Sequence, residues 1–168
     1  MLFSKIFSIA AALATASALP YKPVARGVNG GVSIINNIGQ DIYVWSVSAN
    51  SAPMQVLPAG ESYLESWQIN PNGGGISIKL GCSEDGASVL QFEYTQAGEL
   101  LFWDLSSIDL NPDSPLITAG FGVTIDDATC DTATCAPGVV DCAESYQFPD
   151  DHNTRACSTG AAYTLTLG

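Results

Sequence analysis

Val89-Leu90-Gln91-Phe92-Glu93-Tyr94-Thr95, then Gln96-Ala97-Gly98-Glu99, then Leu100-Leu101-Phe102-Trp103-Asp104-Leu105 is the passage that decides the fold. Two apolar-rich runs flank four residues with turn chemistry, the pattern of a β-hairpin. Side chains alternate between the two faces of a strand. Phe92 and Tyr94 therefore share one face and Glu93 takes the other. Leu101, Trp103 and Leu105 likewise share a face opposite Asp104. With the aromatic residues turned into a core, two neighbouring strands each present a carboxylate on an outer surface.

The same period recurs outward from this hairpin. Ile42, Val44 and Ser46 alternate with Tyr43, Trp45 and Val47, and Ile76, Ile78 and Leu80 alternate with Ser77 and Lys79. Shorter runs at Val32–Ile35, Met54–Leu57, Phe121–Ile125 and Tyr163–Leu167 lie between turn signals such as Pro58-Ala59-Gly60 and Pro71-Asn72-Gly73-Gly74-Gly75. No stretch sustains a 3.6-residue apolar period. Eight to ten short strands with frequent turns predict an antiparallel β-sandwich. Trp45 and Trp103, in alternating strands, are expected in the core, and Trp67 is expected to be exposed.

The chain has 168 residues, enough for one core, with 46% hydrophobic and 13% charged residues. Seventeen acidic residues face five basic ones, a net charge of −12. Such a charge repels phosphate backbones and anionic lipid, so neither nucleic acid nor a membrane surface is an expected partner. Lys5 precedes the apolar run Ile6–Leu13, and Ala16-Ser17-Ala18 offers small residues at a cleavage site. Residues 1–18 read as a secretory signal peptide, residues 19–30 as an N-terminal arm and residues 31–168 as the folded domain. The C-terminal stretch ending Leu165-Thr166-Leu167-Gly168 has no long apolar tail, which argues against a lipid anchor. The expected location is extracellular, in solution or on a cell wall. In that setting disulfides are the default for Cys82, Cys130, Cys135, Cys142 and Cys157, and the odd number leaves at least one thiol over.

Several segments resemble the thaumatin-like proteins. Val32-Ser33-Ile34-Ile35-Asn36-Asn37 with Ile42-Tyr43-Val44-Trp45 is similar to that family's opening strand pair. Glu65-Ser66-Trp67-Gln68-Ile69-Asn70 and the strand ending at Cys82 resemble its next two elements. Phe102-Trp103-Asp104-Leu105-Ser106-Ser107-Ile108-Asp109 and Cys142-Ala143-Glu144-Ser145-Tyr146-Gln147-Phe148-Pro149-Asp150-Asp151 resemble two further signatures, in consistent order. The short length suits the small secreted fungal members, which include antigenic and yeast-phase-specific surface proteins. The resemblance implies a thaumatin-like sandwich with a short stapled loop region. It implies the bridges Cys130–Cys157 and Cys135–Cys142, with Cys82 as a free thiol. The bridge that usually ties the first strand to the C-terminus is absent, with Gly39 near one of its positions.

Larger family members carry an acidic cleft of one Arg, one Glu and three Asp that binds β-1,3-glucan and in some members hydrolyses it. Carried onto this chain, the Glu falls on Glu93 and two Asp on Asp104 and Asp109. The third falls on Asp150 or Asp151, and Lys79 stands at the Arg position. Glycoside hydrolysis needs two carboxyl groups, so Glu93 and Asp104 are the candidate catalytic pair, with Lys79, Asp109, Asp150 and Asp151 as substrate contacts. Lysine lacks the planar fork of arginine, which favours binding over hydrolysis. The structural alternative is that these acids belong to a solvated surface.

Other chemistries find little support. His152 is the sole histidine, no G-x-S-x-G elbow occurs, and Cys130-x4-Cys135 lacks zinc spacing. Asp126-Asp127 and Asp150-Asp151-His152 lack the EF-hand pattern. No metal and no cofactor are expected. Three functional expectations stand: a wall-associated binder of β-glucan or another cell-wall polysaccharide, with weak or no hydrolysis; an extracellular surface protein or antigen contacting other proteins; and an endo-β-1,3-glucanase.

Overall fold

The computed structural model describes residues 29–168. The expected signal peptide, 1–18, and arm residues 19–28 lie outside the described residues.

Eleven strands and one short helix form two packed sheets. They are β1 (Gly31–Asn36), β2 (Ile42–Val47), β3 (Gln55–Leu57), β4 (Ser62–Ser66), β5 (Ile76–Gly81), β6 (Val89–Ala97), β7 (Leu100–Ser106), α1 (Pro115–Ala119), β8 (Phe121–Ile125), β9 (Ala133–Cys135), β10 (Arg155–Ser158) and β11 (Ala162–Leu167). One sheet has the order β4-β1-β11-β8-β9 and the other β10-β7-β6-β5-β2-β3. All pairings are antiparallel except β1 with β11. That parallel pair joins the first and last strands in the middle of the five-stranded sheet. Asn37 N–H extends the junction by donating to the Leu167 carbonyl at 2.9 Å. The ladder brings together the two chain regions that lack the usual bridge.

The alternation read from sequence fixes the core. Ile42, Val44, Ile76, Ile78, Leu80, Phe92, Tyr94, Leu101, Trp103 and Leu105 point inward from the six-stranded sheet and are buried. They meet Val32, Ile34, Val123, Tyr163, Leu165 and Leu167 from the other sheet. Burial of this apolar area is the main term holding the sheets together. The hairpin turn has Gly98 at φ 65°, a left-handed value that glycine adopts without a Cβ penalty.

Trp67 departs from expectation. It packs edge-on against Tyr94 and Tyr163, each with a ring-centroid separation of 4.9 Å. Its indole N–H donates to the Thr159 carbonyl at 3.0 Å. Trp67 follows β4 at the open edge of the sandwich, where it closes the gap between sheets. Trp103 is fully buried as expected, whereas Trp45 lies half-buried on the outer face of β2. Its parity with Tyr43 and Val47 puts it there, because Ile42, Val44 and Ser46 take the inner positions.

The stapled region packs beside β7. Cys130 is bonded to Cys157, and Cys135 to Cys142, while Cys82 is free. The first bridge ties the loop after β8 to β10, and the second closes a short loop after β9.

Candidate functional site: an acidic cleft on the six-stranded sheet

Register across β5, β6 and β7 builds the site. Glu93 is directly opposite Asp104, and on its other side it is opposite Ser77. Directly opposed residues of an antiparallel pair hold their Cβ atoms about 4.5–5.5 Å apart. The buried flanks Phe92, Tyr94, Trp103 and Leu105 force both acids outward. The two half-buried carboxylates lie in a cleft of about 490 Å³. Its remaining lining includes Ser48, Asn70, Gly75, Ser77, Thr95, Phe102 and Thr154, with no further charged group. Gly75 keeps the floor low, since a Cβ there would lie 3.0 Å from the Tyr94 carbonyl oxygen.

Neither Glu93 nor Asp104 has a hydrogen-bond or ion-pair partner among the described residues. Burial raises the Asp104 carboxyl from 3.8 to about 7, the Glu93 charge adds to the rise, and Arg155 opposes it. Asp104 is thus a carboxylic acid able to donate a proton in a hydrogen bond near neutral pH.

The other candidates occupy different places. Lys79 lies on the same outer face, opposite Gln91 and Trp45, outside the cleft lining. Asp109 sits on the loop after β7, and its Oδ2 accepts from Gln91 Nε2 at 3.3 Å. Asp151 is spent locally: its Oδ2 accepts from the backbone N–H groups of Gln147 and Phe148 at 2.7 and 2.9 Å, which lowers its pKa. Asp150 is exposed and outside the cleft lining. The cleft therefore unites Glu93 with Asp104 and leaves Lys79, Asp109, Asp150 and Asp151 beyond its walls.

Sequence reading missed Ser77, which lines the cleft, and Gln91, a buried residue outside the lining that holds it. Ser77 donates to Gln91 Oε1 at 3.1 Å, and Gln91 Nε2 reaches both Ser106 at 3.5 Å and Asp109. Period 2 already placed Gln91 on the face of Glu93; its neutral side chain drew no attention. Arg155 also escaped notice. It stands opposite Trp103, with its guanidinium 5.3 Å from the ring centroid, and pairs with Glu144.

Asp127, Cys130 and Cys157 bring potential metal-ligating atoms together, but both sulfurs are committed to one disulfide. No helix of the described residues is long and apolar enough to cross a membrane.

Comparison with known proteins sets this geometry in context. The model of the Blastomyces yeast-phase-specific protein family matches residues 24–168. The chain belongs to this family. It is 70% identical over 168 residues to the secreted thaumatin-like protein calA of Emericella nidulans, covering 100% of this chain and 98% of that one. It is 36% identical to an antigenic thaumatin-like protein of Arthroderma benhamiae, over 87% of this chain and 74% of that protein. Among solved structures, the protein elicitor MoHrip2 from Magnaporthe oryzae superposes with a TM-score of 0.67 at 22% identity, covering 82% of this chain and 97% of that one. That likeness shows a shared thaumatin-like fold. The family member described here is a secreted thaumatin-like protein.

Proposed function

We propose that this thaumatin-like chain binds a linear neutral polysaccharide of cell walls, β-1,3-glucan, through the Glu93–Asp104 cleft, and retains it without efficient hydrolysis. The observation that carries this reading is the opposed, unpartnered carboxyl pair on the floor of an otherwise uncharged cleft. Half-buried carboxyl groups without partners favour a ligand that brings hydroxyl donors. The raised Asp104 pKa lowers the cleft's charge near neutrality, which suits a polyol better than a cation. The lining Ser, Thr and Asn side chains offer further neutral hydrogen bonds, and Phe102 offers an apolar surface.

Binding is favoured over cleavage by the residue at the Arg position. Lys79 lacks the planar fork of arginine and lies outside the cleft lining, so nothing charged orients a sugar against the pair. A directly opposed pair has the close spacing a retaining glycosidase uses, so hydrolysis is decided by experiment.

Sedimentation with insoluble β-1,3-glucan tests the reading. Wild type is expected in the pellet, with Glu93→Gln weakened and still folded. Failure of wild type to sediment would leave the reading as a surface protein that contacts other proteins. Reducing-sugar release lost in Glu93→Gln would replace binding with endo-β-1,3-glucanase activity.

A further inference from the structure

The outer face of the six-stranded sheet carries Phe102 towards one end and Trp45, with the Tyr43 ring centroid 6.4 Å from its own, towards the other. Phe102 is two residues from Asp104 on the same face of β7, opposite Thr95, and lines the acidic cleft. It is 39% exposed and forms no aromatic pair among the described residues. Trp45 lies on β2, opposite Lys79. Its ring rests over two glycines: a Cβ at Gly81 would come within 3.3 Å of it, and one at Gly86 within 3.7 Å. A side chain at Gly81 would crowd the indole, whereas one at Gly86 would meet it in ordinary contact, so Gly81 makes room for a large ring outside the core.

The two rings mark the ends of a diagonal. Thr95, opposite Phe102, is four residues along β6 from Gln91, whose row runs through Lys79 to Trp45. Four residues of strand span about 14 Å, and the three strand steps from β7 to β2 span a similar distance, so the rings stand about 20 Å apart. Between them lie Glu93, Asp104, Ser77 and Lys79, a strip of hydrogen-bonding groups flanked by apolar ends.

We infer that Phe102 and Trp45 are the end platforms of one extended glycan track, which selects a linear oligosaccharide several residues long over a mono- or disaccharide. The inference rests on the reading of the acidic cleft as a polysaccharide site, and adds its length and polarity. A pyranose ring has an apolar C–H face, which stacks on an aromatic ring, and a hydroxylated rim, which suits the strip between. A short sugar covers one platform and gains nothing from the other. A chain that reaches both gains from two contacts within one molecule.

Titration calorimetry with β-1,3-linked glucose oligomers of increasing length, on the folded domain, tests the track. Wild-type affinity is expected to rise with length and then level off. Phe102→Ala and Trp45→Ala should each weaken binding of the long oligomers about fivefold or more and flatten the length dependence. Phe102→Tyr should retain wild-type behaviour and Phe102→Leu should not, which separates stacking from mere bulk. Circular dichroism confirms that each variant is folded. If Phe102→Ala and Trp45→Ala bind long oligomers like wild type while Glu93→Gln weakens them, the track is wrong and the cleft reading stands. Affinity independent of chain length in wild type overturns the track as well. A wild type that binds no oligomer of any length overturns both.

Discussion

The Tyr94 hydroxyl donates to Glu65 Oε1 at 2.7 Å, linking β6 of one sheet to β4 of the other across the sandwich. Tyr63 donates to the second oxygen at 2.6 Å, so a carboxylate only 6% exposed is held by two phenols. Burial, followed by the bond and charge of Glu65, pushes both phenol pKa values well above the ordinary range. Tyr94→Phe leaves Glu65 Oε1 without its donor and is expected to cost about 1–3 kcal/mol. Tyr63 is more open to water, so Tyr63→Phe should cost less. Urea unfolding midpoints of the two variants check the order; equal losses would contradict the greater burial assigned to Tyr94.

Asp104 gives the fold a pH dependence of unusual sign. Its folded pKa, about 7, exceeds the ordinary 3.8, so between these values the folded state binds more protons than the unfolded state. Its contribution is complete below about pH 4 and is lost as pH rises through about 7. Wild type is expected to lose about 1 kcal/mol over that window after allowance for solvent screening, relative to Asp104→Asn. Parallel melting curves from pH 4 to 8 measure the difference. A constant gap between the two proteins would contradict the shift.

Glucan retention should follow the same group. Above pH 7 Asp104 is charged and loses its capacity to donate. Sedimented protein is expected to fall as pH rises from 6 to 8 in wild type and to remain level in Asp104→Asn.

The two bridges differ in the chain they close. Cys130 and Cys157 are 27 residues apart, and Cys135 and Cys142 are 7 apart. Loop entropy alone assigns about 3.6 kcal/mol to the longer closure and about 2.5 kcal/mol to the shorter. Paired Cys→Ser replacement should therefore destabilise more at 130/157 than at 135/142, as read from denaturant midpoints.

Cys82 is half-buried, and burial raises its thiol pKa. Little thiolate is present at neutral pH, so alkylation of the native protein should be slow and should accelerate sharply in denaturant. Fast labelling of the folded chain would show that the thiol is more open than its packing implies.

Strands whose inner face is wholly apolar were legible: β6 and β7 were read with the right faces, whereas β2, with Ser46 on its inner face, was found but Trp45 was expected on the wrong side of it. β4 was not legible, because its inward residue is Glu65, whose partners Tyr63 and Tyr94 make a charge acceptable in the interior. β10 hid for a similar reason. Arg155 points inward over Trp103 and pairs with Glu144, an arrangement invisible until the loops are placed. The three-residue β9 gave too short a pattern. Ser114-Pro115 does carry a helix-start signal, with Ser114 capping Leu116 N–H, yet five residues show no period. The Glu93–Asp104 pairing was legible because one hairpin turn sets its register. Asp109, Asp150 and Asp151 sit on loops, where no period predicts direction.

The parallel contact between β1 and β11 has a kinetic side. Asn37 and Gly168, 131 residues apart, still share a hydrogen bond. The five-stranded sheet therefore cannot close until Ala162–Leu167 has left the ribosome, and loop closure over such a span is slow. Until β11 is present the five-stranded sheet lacks its centre, so the complete sandwich forms late. For an exported protein this delay is useful, because an unfolded chain can thread a translocation pore before the sandwich forms on the far side.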